Sequence, residues 1–311
     1  MVTPTKSAAP SVTAIESVPN ISEGRRVSVV ERIAAAVSAV PGVRLLDRTS
    51  DADHNRSVIT FAGARPAVRE AALALVGAAL REIDLRTHTG AHPRLGAVDV
   101  LPFVPLAATT MEECVTLAHE VGREVAARHA IPVYFYGRAA LHAERERLAD
   151  IRRPQFEGLA AVIATTHLPD AGPARVHPTA GAIVVGARPP LIAFNVELDT
   201  TDLALARRIA REIRASSGGL PALQALGLLL GAPPRVQVSM NLLDHERTGL
   251  VTAFDAVASR ARAAGVRVVR SELIGLVPAA AFAAGLTAER IGLPSIGPDR
   301  TIEGQLLAAL A

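Results

Sequence analysis

Strand-like and helix-like segments alternate along almost the whole chain, and this alternation constrains the fold more than any other feature of the sequence. Short apolar runs bounded by Gly, Pro or polar residues indicate strands at 13–19, 43–47, 57–63, 97–103, 131–136, 181–186, 191–198, 234–241 and 266–277. Longer segments with the apolar spacing of a helix face indicate helices at 26–39, 66–82, 110–129, 139–149, 201–216 and 250–264. Such alternation is typical of layered α/β proteins, and we predict that architecture here.

The helix at 110–129 has the clearest start signal. It begins with Thr109 or Thr110, and Glu112 and Glu113 follow in its first turn. A threonine before a helix caps backbone N–H groups, and acidic side chains near that end interact favourably with the helix dipole. We therefore expect a capped helix that starts at this point.

The length and composition fit a globular protein with an aliphatic core. The chain has 311 residues, of which 50% are hydrophobic and 3% aromatic, with no Trp. This is long enough for two domains of ordinary size. No apolar run approaches the ~18 residues that a membrane span needs, and residues 1–14 lack the apolar centre of a signal peptide and resemble a disordered leader. The single Cys114 excludes an internal disulfide and favours a cytoplasmic location.

The charge pattern argues against two classes of ligand. The net charge of +3 is small and spread along the chain, so nucleic acid binding is not indicated. Neither of the glycine-rich motifs GxGxxG and GxxxxGK[ST] occurs, which disfavours a nucleotide enzyme. Lys6 is the only lysine, so any anionic ligand must be held by Arg, His or backbone N–H groups.

The segment Thr87–Leu106, THTGAHPRLGAVDVLPFVPL, carries the most chemical information. His92 precedes Pro93, and its backbone therefore favours an extended conformation instead of a helix. An imidazole on a glycine-punctuated loop that leads into a strand is typical of an active site, because the strand keeps the loop rigid. We predict that His92 is displayed from a stiff turn.

Metal binding is an alternative role for this segment, because His88 and His92 are four residues apart. Zinc-protease spacing requires both histidines on one helix with a glutamate after the first, and Thr89, Gly90 and Pro93 disfavour that helix. We expect no bound metal. Proton transfer is favoured instead, because the ordinary pKa of an imidazole is about 6.5.

The segment Thr87–Leu106 resembles the active-site segment of the glutamate formimidoyltransferase family. Six other segments match that family in the same order along the chain. They are Glu16–Arg25 (ESVPNISEGR), Asp53–Val58 (DHNRSV), Thr110–Val115 (TMEECV), Ile131–Gly137 (IPVYFYG), Leu191–Asn195 (LIAFN) and Val238–Asp244 (VSMNLLD). The resemblance runs from about Ile15 to the C-terminus, and seven segments in the correct order make it specific.

The resemblance implies a particular domain organisation. The family has two α/β subdomains, each a mixed β-sheet with helices packed on one face, and a ligand groove between them. We therefore expect a leader at 1–14, an N-terminal subdomain with the catalytic histidine at 15–187, and a C-terminal subdomain at 188–311. The prolines of the segment Ala187–Pro190 agree with a junction there. The family also implies a homodimer.

The resemblance further implies a reaction of histidine breakdown. The formimidoyl group of N-formimidoyl-L-glutamate would pass to the co-substrate tetrahydrofolate, giving 5-formimidoyltetrahydrofolate and L-glutamate. N5 of the folate must lose a proton while the departing nitrogen gains one, and His92 matches the family's catalytic histidine that shuttles it. The cyclodeaminase domain that follows in animal members is not recognised in this sequence, so we expect the product to pass to a separate enzyme.

Two stretches align with folate-contacting parts of the family. The first displays Arg175 and His177 between prolines, and arginine suits the carboxylates of a folate tail, although the sequence alone is equally compatible with an interdomain linker. The second contains no charge, unlike its basic counterpart in animal members, and offers Gln224 as donor and acceptor. We therefore expect long polyglutamate tails to gain little affinity. The expected folate-contacting residues are Gly172, Pro173, Ala174, Arg175, Val176, His177, Pro178, Thr179, Ala180 and Gly181, with Gly218, Gly219, Leu220, Pro221, Ala222, Leu223, Gln224, Ala225, Leu226 and Gly227.

Seven further residues are candidates for supporting roles. Arg56 and Arg94 either hold carboxylates of glutamate or folate or are ordinary surface charges. Asp47 and Asp244 follow predicted strands, and either is a candidate to orient His92. Three asparagines at strand ends are candidates for ligand contact, with turn formation as the alternative; these are Asn20, Asn55 and Asn241.

Two other functions remain open from the sequence. A paralogue that uses a different amine donor for formimidoyl or formyl transfer would keep His92 and change the acceptor groove. A folate-binding protein without turnover would have no need of the catalytic histidine. The intact HTGAHPR loop argues against the second of these.

Overall fold

Two β-sheets with packed helices make up the residues that the computed structural model describes, 13–231 and 234–308. The strands are β1 (Thr13–Ser17), β2 (Asn20–Ile21), β3 (Val43–Asp51), β4 (Arg56–Gly63), β5 (Val98–Ala107), β6 (Val133–Gly137), β7 (Ile183–Ala187), β8 (Ile192–Leu198), β9 (Leu223–Leu230), β10 (Arg235–Leu242) and β11 (Val268–Ile274). The α-helices are α1 (Val27–Ser38), α2 (Arg65–Glu82), α3 (Met111–His129), α4 (Leu148–Ile151), α5 (Gln155–Val162), α6 (Leu203–Ile213), α7 (Leu250–Ala263) and α8 (Ile302–Ala308). The predicted layered α/β fold is confirmed.

The first sheet is mixed and contains seven strands. β1 and β2 lie end to end, and both pair antiparallel with β4 and β5. Pro19 lies in the break between them, where its carbonyl accepts a hydrogen bond from Ile59 N at 3.0 Å. β3 pairs with β4 at one edge, while β5, β7 and β6 are parallel and form the other side.

The second sheet has the order β11–β8–β10–β9 and is antiparallel throughout, where the sequence had suggested a mixed sheet. The chain enters it between Ala187, the end of β7, and Ile192, the start of β8. Pro189 and Pro190 occupy this connection. We propose the subdomain boundary at 187–188, within this connection.

Both cores are largely aliphatic, as the composition suggested. Helices α1, α2 and α3 pack on one face of the first sheet, around buried residues such as Ile33, Leu75 and Leu117. Helices α6 and α7 cover one face of the second sheet. The short helices α4 and α5 lie on the opposite face of the first sheet, against Tyr134 and Val184. The expectation of helices on one face only is therefore wrong for the first sheet. Strand alternation leaves the parts of these opposite faces that no helix covers for polar side chains.

These remaining faces of the two sheets approach each other. Leu46 and Ala62 of the first sheet form a buried cluster with Leu276 and Ile302, so the segment after β11 and helix α8 close one end of the contact. At the other end, a Cβ added to Gly231 would lie 2.8 Å from Asp53 Oδ1, which places the β9–β10 turn against the β3–β4 hairpin. We call the region between these contacts the polar interface.

The start of α3 follows the sequence signals. Thr110 Oγ1 accepts a hydrogen bond from Glu113 N at 3.2 Å, and Glu113 Oε2 accepts one from Thr110 N at 2.7 Å. This reciprocal capping box confirms the predicted cap and selects Thr110 over Thr109.

Other elements differ from the predictions. The helix predicted at 139–149 is wrong: the chain there contains only the 3₁₀ turn Ala143–Arg145 and the first residues of α4. Arg145 binds Asp170 and the Leu168 carbonyl, so tertiary contacts override helix propensity. β9, α5 and α8 were not predicted.

The expected leader at 1–14 lies mostly outside the described residues. Its last two residues, Thr13 and Ala14, instead begin β1 and pair with Ala107 and Leu106 of β5. The expectation was therefore wrong at these two positions.

Candidate active site

The loop that carries His92 connects α2 to β5, and the β3–β4 hairpin holds it closely. A Cβ added to Gly90 would lie only 2.2 Å from the His54 carbonyl oxygen, so only glycine permits this approach of two backbones. Asn55, in the left-handed region with a φ of 48°, accepts from Gly24 N at 3.0 Å and donates to the Thr89 carbonyl at 3.0 Å. Asn55 therefore joins three loops at the site as a structural residue.

Both ring nitrogens of His92 are hydrogen-bonded, and their partners define the tautomer. Nδ1 lies 2.7 Å from the Pro93 carbonyl oxygen, which only accepts, so Nδ1 carries the proton. Nε2 lies 2.7 Å from Arg56 Nη1, which only donates, so Nε2 accepts with its lone pair. Burial, Arg56 and Arg152 hold the pKa of His92 well below its ordinary value of 6.5. His92 is therefore a neutral imidazole at neutral pH, and Nε2 is its basic atom.

Arg56 is a partly buried cation in contact with the imidazole. Burial and the charge of Arg152 lower the pKa of Arg56 to about 10, which still leaves it protonated at neutral pH. Asp99 partly offsets these effects; its Oδ1 accepts from Leu95 N at 2.7 Å and its Oδ2 from Arg152. The site therefore contains two arginines around one internal carboxylate.

A second histidine, His54, faces the same site from the β3–β4 hairpin. Its Nδ1 lies 2.6 Å from Asp51 Oδ2, and its backbone N–H donates to Asp51 Oδ1 at 2.8 Å. Burial opposes ionisation of Asp51, but the hydrogen bonds from His54 outweigh it and lower the pKa of this carboxyl. The ring centres of His54 and His92 are 6.0 Å apart.

His88 and Arg94 line the other side of the site and are anchored to the surrounding structure. His88 Nε2 donates to the Asn55 carbonyl at 2.8 Å, and burial lowers the pKa of His88. Arg94 Nη2 donates to the His88 carbonyl at 3.0 Å and to Glu157 Oε1 at 2.7 Å. Arg94 already has a carboxylate partner, which makes Arg56 the better candidate to receive one from a substrate.

A cavity of about 10 Å³ lies between these side chains. A space of this size admits about one water molecule. This cavity alone is too small for a larger ligand. The lining residues are Ser22, His54, Asn55, Arg56, His88, His92, Pro93, Arg94 and Asp99.

The two aspartates expected to orient His92 have other roles. Asp47 accepts a hydrogen bond from Thr49 Oγ1 at 2.8 Å, and Asp244 Oδ1 accepts one from Glu246 N at 3.1 Å. Both nitrogens of His92 have other partners, so this expectation was wrong. Backbone carbonyl and arginine, instead of carboxylate, fix the ring.

The first stretch expected to contact folate, Gly172–Gly181, packs directly beside the His92 loop. The Thr179 carbonyl accepts from Leu85 N, near the start of that loop, at 2.8 Å. His177 Nδ1 closes a turn within the stretch, while Arg175 is exposed. The structure therefore joins this stretch to the start of the His92 loop, and Arg175 is an exposed cation on the same stretch.

The second stretch, Gly218–Gly227, belongs to the other subdomain. Gly218 has a left-handed φ of 83°, and β9 follows as the edge strand of the second sheet. Gln224 pairs in register with Asn241 of β10. Because the turn after β9 lies against Asp53, this strand leads towards the hairpin that carries His54.

The polar interface contains buried polar atoms with unused hydrogen-bonding capacity. Asn20 Oδ1 and Thr60 Oγ1 of the first sheet, and Gln237 Nε2 of the second, have no partner within the described part of the chain. Burial and the charge of Asp51 raise the pKa of Glu272, which shows that the His54 hairpin faces the same region. Buried polar groups of this kind are candidates for ligand contact.

Sequence reasoning missed four residues at the site, namely Asp51, His54, Asp99 and Arg152. Asp99 was detectable in principle, because it is a single charge within the apolar run AVDVLPF. His54 was detectable from its place between acidic and amide residues in DADHNR. Arg152 gave no local signal, since its role depends on a contact with Asp99 across 53 positions of sequence.

Residues 13–231 and 234–308 contain no cluster of three or more His, Cys, Asp or Glu side chains suited to a metal ion. None of the helices in that part of the chain is both long and apolar enough to cross a bilayer.

Comparison with known proteins identifies relatives over most of the chain. Residues 14–188 match the family described as "Formiminotransferase domain, N-terminal subdomain", and residues 193–289 match "Formiminotransferase domain". A glutamate formimidoyltransferase of Streptococcus pyogenes serotype M1 is 43% identical over 86% of this chain and 90% of its own length. One from Thermoplasma acidophilum is 44% identical over 85% of this chain and 88% of its own. The formimidoyltransferase-cyclodeaminase of Sus scrofa is 40% identical over 93% of this chain and 58% of its own.

The two family matches together cover both sheets and the loop that carries His92. Relatives above 40% identity extend over most of this chain and most of their own length. The chain belongs to the formiminotransferase family.

Proposed function

We propose that this chain transfers the formimidoyl group from N-formimidoyl-L-glutamate to N5 of tetrahydrofolate, releasing 5-formimidoyltetrahydrofolate and L-glutamate. The observation that carries the proposal is the similarity to two relatives named glutamate formimidoyltransferase over 86 and 85% of the chain. The neutral His92 beside a partly buried arginine gives the reaction a suitable site.

The chemistry requires a base that is neutral at working pH. N5 attacks the amidine carbon, a tetrahedral intermediate forms, and the glutamate nitrogen leaves. His92 Nε2 takes the proton that N5 loses, and general-base catalysis of this kind contributes roughly 10²- to 10⁴-fold in rate. Because the pKa of His92 is held low, the base is unprotonated and ready under neutral conditions.

Arg56 is the group to which we assign the glutamate carboxylate. In this structure Arg56 donates to His92 Nε2, so the lone pair needed for catalysis is occupied. A substrate carboxylate that forms a charge-assisted pair with Arg56 draws the guanidinium away and offsets its charge. Both changes free Nε2 and raise its basicity when substrate is bound.

We place tetrahydrofolate along the polar interface, with its pteridine near His92. Asn20 Oδ1, Thr60 Oγ1 and Gln237 Nε2 offer acceptors and a donor without partners in the described part of the chain, which suits a ring with several N–H and carbonyl groups. The stretches Gly172–Gly181 and Gly218–Gly227 would hold the rest of the molecule. Asn241, beside Gln224 in the sheet, belongs to the same surface.

The remaining properties are proposed from the family and the sequence. We infer a homodimer in the cytoplasm that acts in histidine catabolism, with small-molecule substrates and no resident metal. Cys114 is buried, and burial raises the pKa of its thiol to about 12, which supports a role as a small buried hydrophobe.

A steady-state assay with N-formimidoyl-L-glutamate and tetrahydrofolate tests the proposal. Formation of 5-formimidoyltetrahydrofolate at equal rates with and without EDTA is the expected result. N-formimidoyl derivatives of other amino acids, lacking the second carboxylate, should react with a lower kcat/KM. Faster transfer from one of these donors would instead indicate a paralogue with a different amine substrate.

A further inference from the structure

We propose that His54, oriented by Asp51, is a second catalytic residue, which delivers a proton to the departing glutamate nitrogen. This inference rests on the proposed function and adds to it a proton donor separate from His92. Two observations carry it: His54 lines the same cavity as His92, and its ring is fixed by a carboxylate.

The geometry presents one nitrogen of His54 to the site. The side chain is only 8% exposed, and Asp51 accepts from both Nδ1 and the backbone N–H, which fixes the ring and its tautomer. Nε2 is then the nitrogen available for proton exchange. The ring centres of the two imidazoles are 6.0 Å apart with their planes at 60°, so the two rings are close neighbours at one cavity.

The two histidines lie in opposite electrostatic surroundings. Arg56 and Arg152 place positive charge beside His92, which favours release of any proton that it accepts. At His54 the nearest charged group is instead the Asp51 carboxylate, whose Oδ2 lies 2.6 Å from Nδ1. The charged partner therefore differs between the two histidines, a cation at His92 and a carboxylate at His54.

Other charged groups also reach the His54–Asp51 pair. Asp53 lies on the same hairpin, and Arg56 is the first residue of β4, which follows it in the chain. From β11 of the second sheet, Arg270 and Glu272 are close enough for the charge of Asp51 to raise the pKa of each. The titratable and charged groups around the pair are therefore Asp53, Arg56, His92, Arg270 and Glu272.

The proposed step is balanced without an oxidant or a metal. N5 bonds to the formimidoyl carbon, and His92 Nε2 takes the N5 proton. The bond from that carbon to the glutamate nitrogen then breaks; the nitrogen keeps the electron pair and receives the Nε2 proton of His54, which enters the step as the imidazolium with its Nδ1–H donated to Asp51. Exchange with solvent removes the proton from His92 and restores the one on His54, so no net proton is consumed.

Four variants test the assignment, with kcat and KM as readouts. His54→Asn keeps a donor for Asp51 at the position of Nδ1 but lacks Nε2, and we expect kcat to fall about 10²-fold with KM little changed. Asp51→Asn should lower kcat at least about tenfold by releasing the ring, whereas Asp53→Asn is the matched control and should leave kcat unchanged.

His54→Gln is a second test at the same position, in case His54→Asn disturbs folding. Its amide nitrogen lies near the position of Nε2 but cannot transfer a proton. Equal losses in both His54 variants at unchanged thermal midpoints support the inference. A kcat for either well-folded variant within threefold of wild type would overturn it and leave the proposed function intact. A wild-type chain without transfer activity would contradict the proposed function and this inference together.

Discussion

At His92, the hydrogen-bond partners decide which nitrogen reacts and at what pH. Pro93 O holds the proton on Nδ1, and Arg56 occupies Nε2. The charge of Arg56 lowers the pKa of His92, which keeps the base unprotonated, but the hydrogen bond from Arg56 also occupies the Nε2 lone pair. The sequence indicated the two residues separately, but their contact spans 36 positions and depends on how two loops meet.

Arg56→Gln should raise the pKa of His92, because it removes a positive charge that lowers this pKa. The acidic limb of the pH profile of kcat/KM should then move to higher pH, since the base is lost to protonation sooner. An NMR titration of the His92 ring measures the shift directly. Arg94→Gln is the control, because Glu157 already pairs with Arg94; an equal shift in both variants would contradict the assigned contact.

Glu16 is a buried carboxyl on β1, and burial raises its pKa from 4.5 to about 7, with Arg188 opposing and Glu303 adding to the shift. Between these two values the unfolded chain binds fewer protons than the folded one, so the free energy of unfolding falls as pH rises through this window. Glu16→Gln removes this loss. The free energy of unfolding of this variant should exceed that of wild type by up to about 3 kcal/mol near pH 8. The two values should be similar near pH 4.

Urea unfolding of wild type and Glu16→Gln at both pH values measures this difference. Glu144→Gln, at an exposed position, serves as the matched control and should change neither midpoint. A Glu16→Gln variant with the same advantage at both pH values would show that packing, not ionisation, causes it.

Two loops, rather than regular elements, bring the site together, and Gly90 marks their closest approach. Gly90→Ala should force the His92 loop away from the β3–β4 hairpin, because a Cβ there meets the His54 carbonyl at 2.2 Å. We expect at least a tenfold loss of kcat/KM, about 1.4 kcal/mol in transition-state stabilisation. Gly77→Ala in α2 is the control, because a Cβ at this position would lie 3.6 Å from its nearest neighbour, Arg81 Nη1. This variant should keep full activity and gain about 0.5–1 kcal/mol in stability.

Periodicity predicted most elements, and its failures have physical causes. The segment at 97–103 was predicted as a strand because an apolar run leads into a proline, but β5 continues through Pro102 and Pro105 to Ala107 and lies between β2 and β7. β9, with sequence LQALGLLL, contains residues that favour helices and has no alternation, yet its pairing with β10 makes it a strand. The helix predicted at 139–149 does not form, because Arg145 binds Asp170 and this tertiary contact overrides the local preference for a helix.

At the scale of the whole molecule, the two sheets present polar faces to each other. Few positively charged side chains are available there to bind the carboxylates of a folate tail. Arg175 is exposed on the stretch that bonds to the start of the His92 loop, whereas Gly218–Gly227 carries no charge. An exposed carboxylate–arginine pair contributes only about 0.2–1 kcal/mol. We therefore expect mono- and pentaglutamyl tetrahydrofolate to differ less than about tenfold in KM.

Measuring KM for both folates at low and physiological salt checks this expectation. Arg175→Ala should raise both KM values by a similar factor, because one arginine acts on the first glutamate alone. A preference of about a hundredfold for the long tail, equivalent to about 2.8 kcal/mol, would reveal a basic track along the molecule that this account lacks.

The family resemblance implied a groove between the subdomains, but the sequence did not indicate most of the residues that line the polar interface. Asn20 and Asn241 were singled out as strand-end asparagines, but Thr60 and Gln237 resemble ordinary strand residues. Their significance appears only when two sheets from distant parts of the chain meet and bury them. Similarly, Asp99 and Arg152 form one pair only because α4 and its flanking turn pack over β5.

Transfer of an isotopic label tests the central claim most directly. N-formimidoyl-L-glutamate labelled with ¹³C at the formimidoyl carbon is mixed with tetrahydrofolate and wild-type protein, His92→Ala or the exposed-histidine control His142→Ala, and the carbon is followed by NMR. We predict that wild type and His142→Ala move the label to N5, and that His92→Ala remains folded but is slower by about 10²-fold or more. Label that stays on glutamate with wild-type protein, or a His92→Ala rate of a tenth of wild type or greater, would contradict this account.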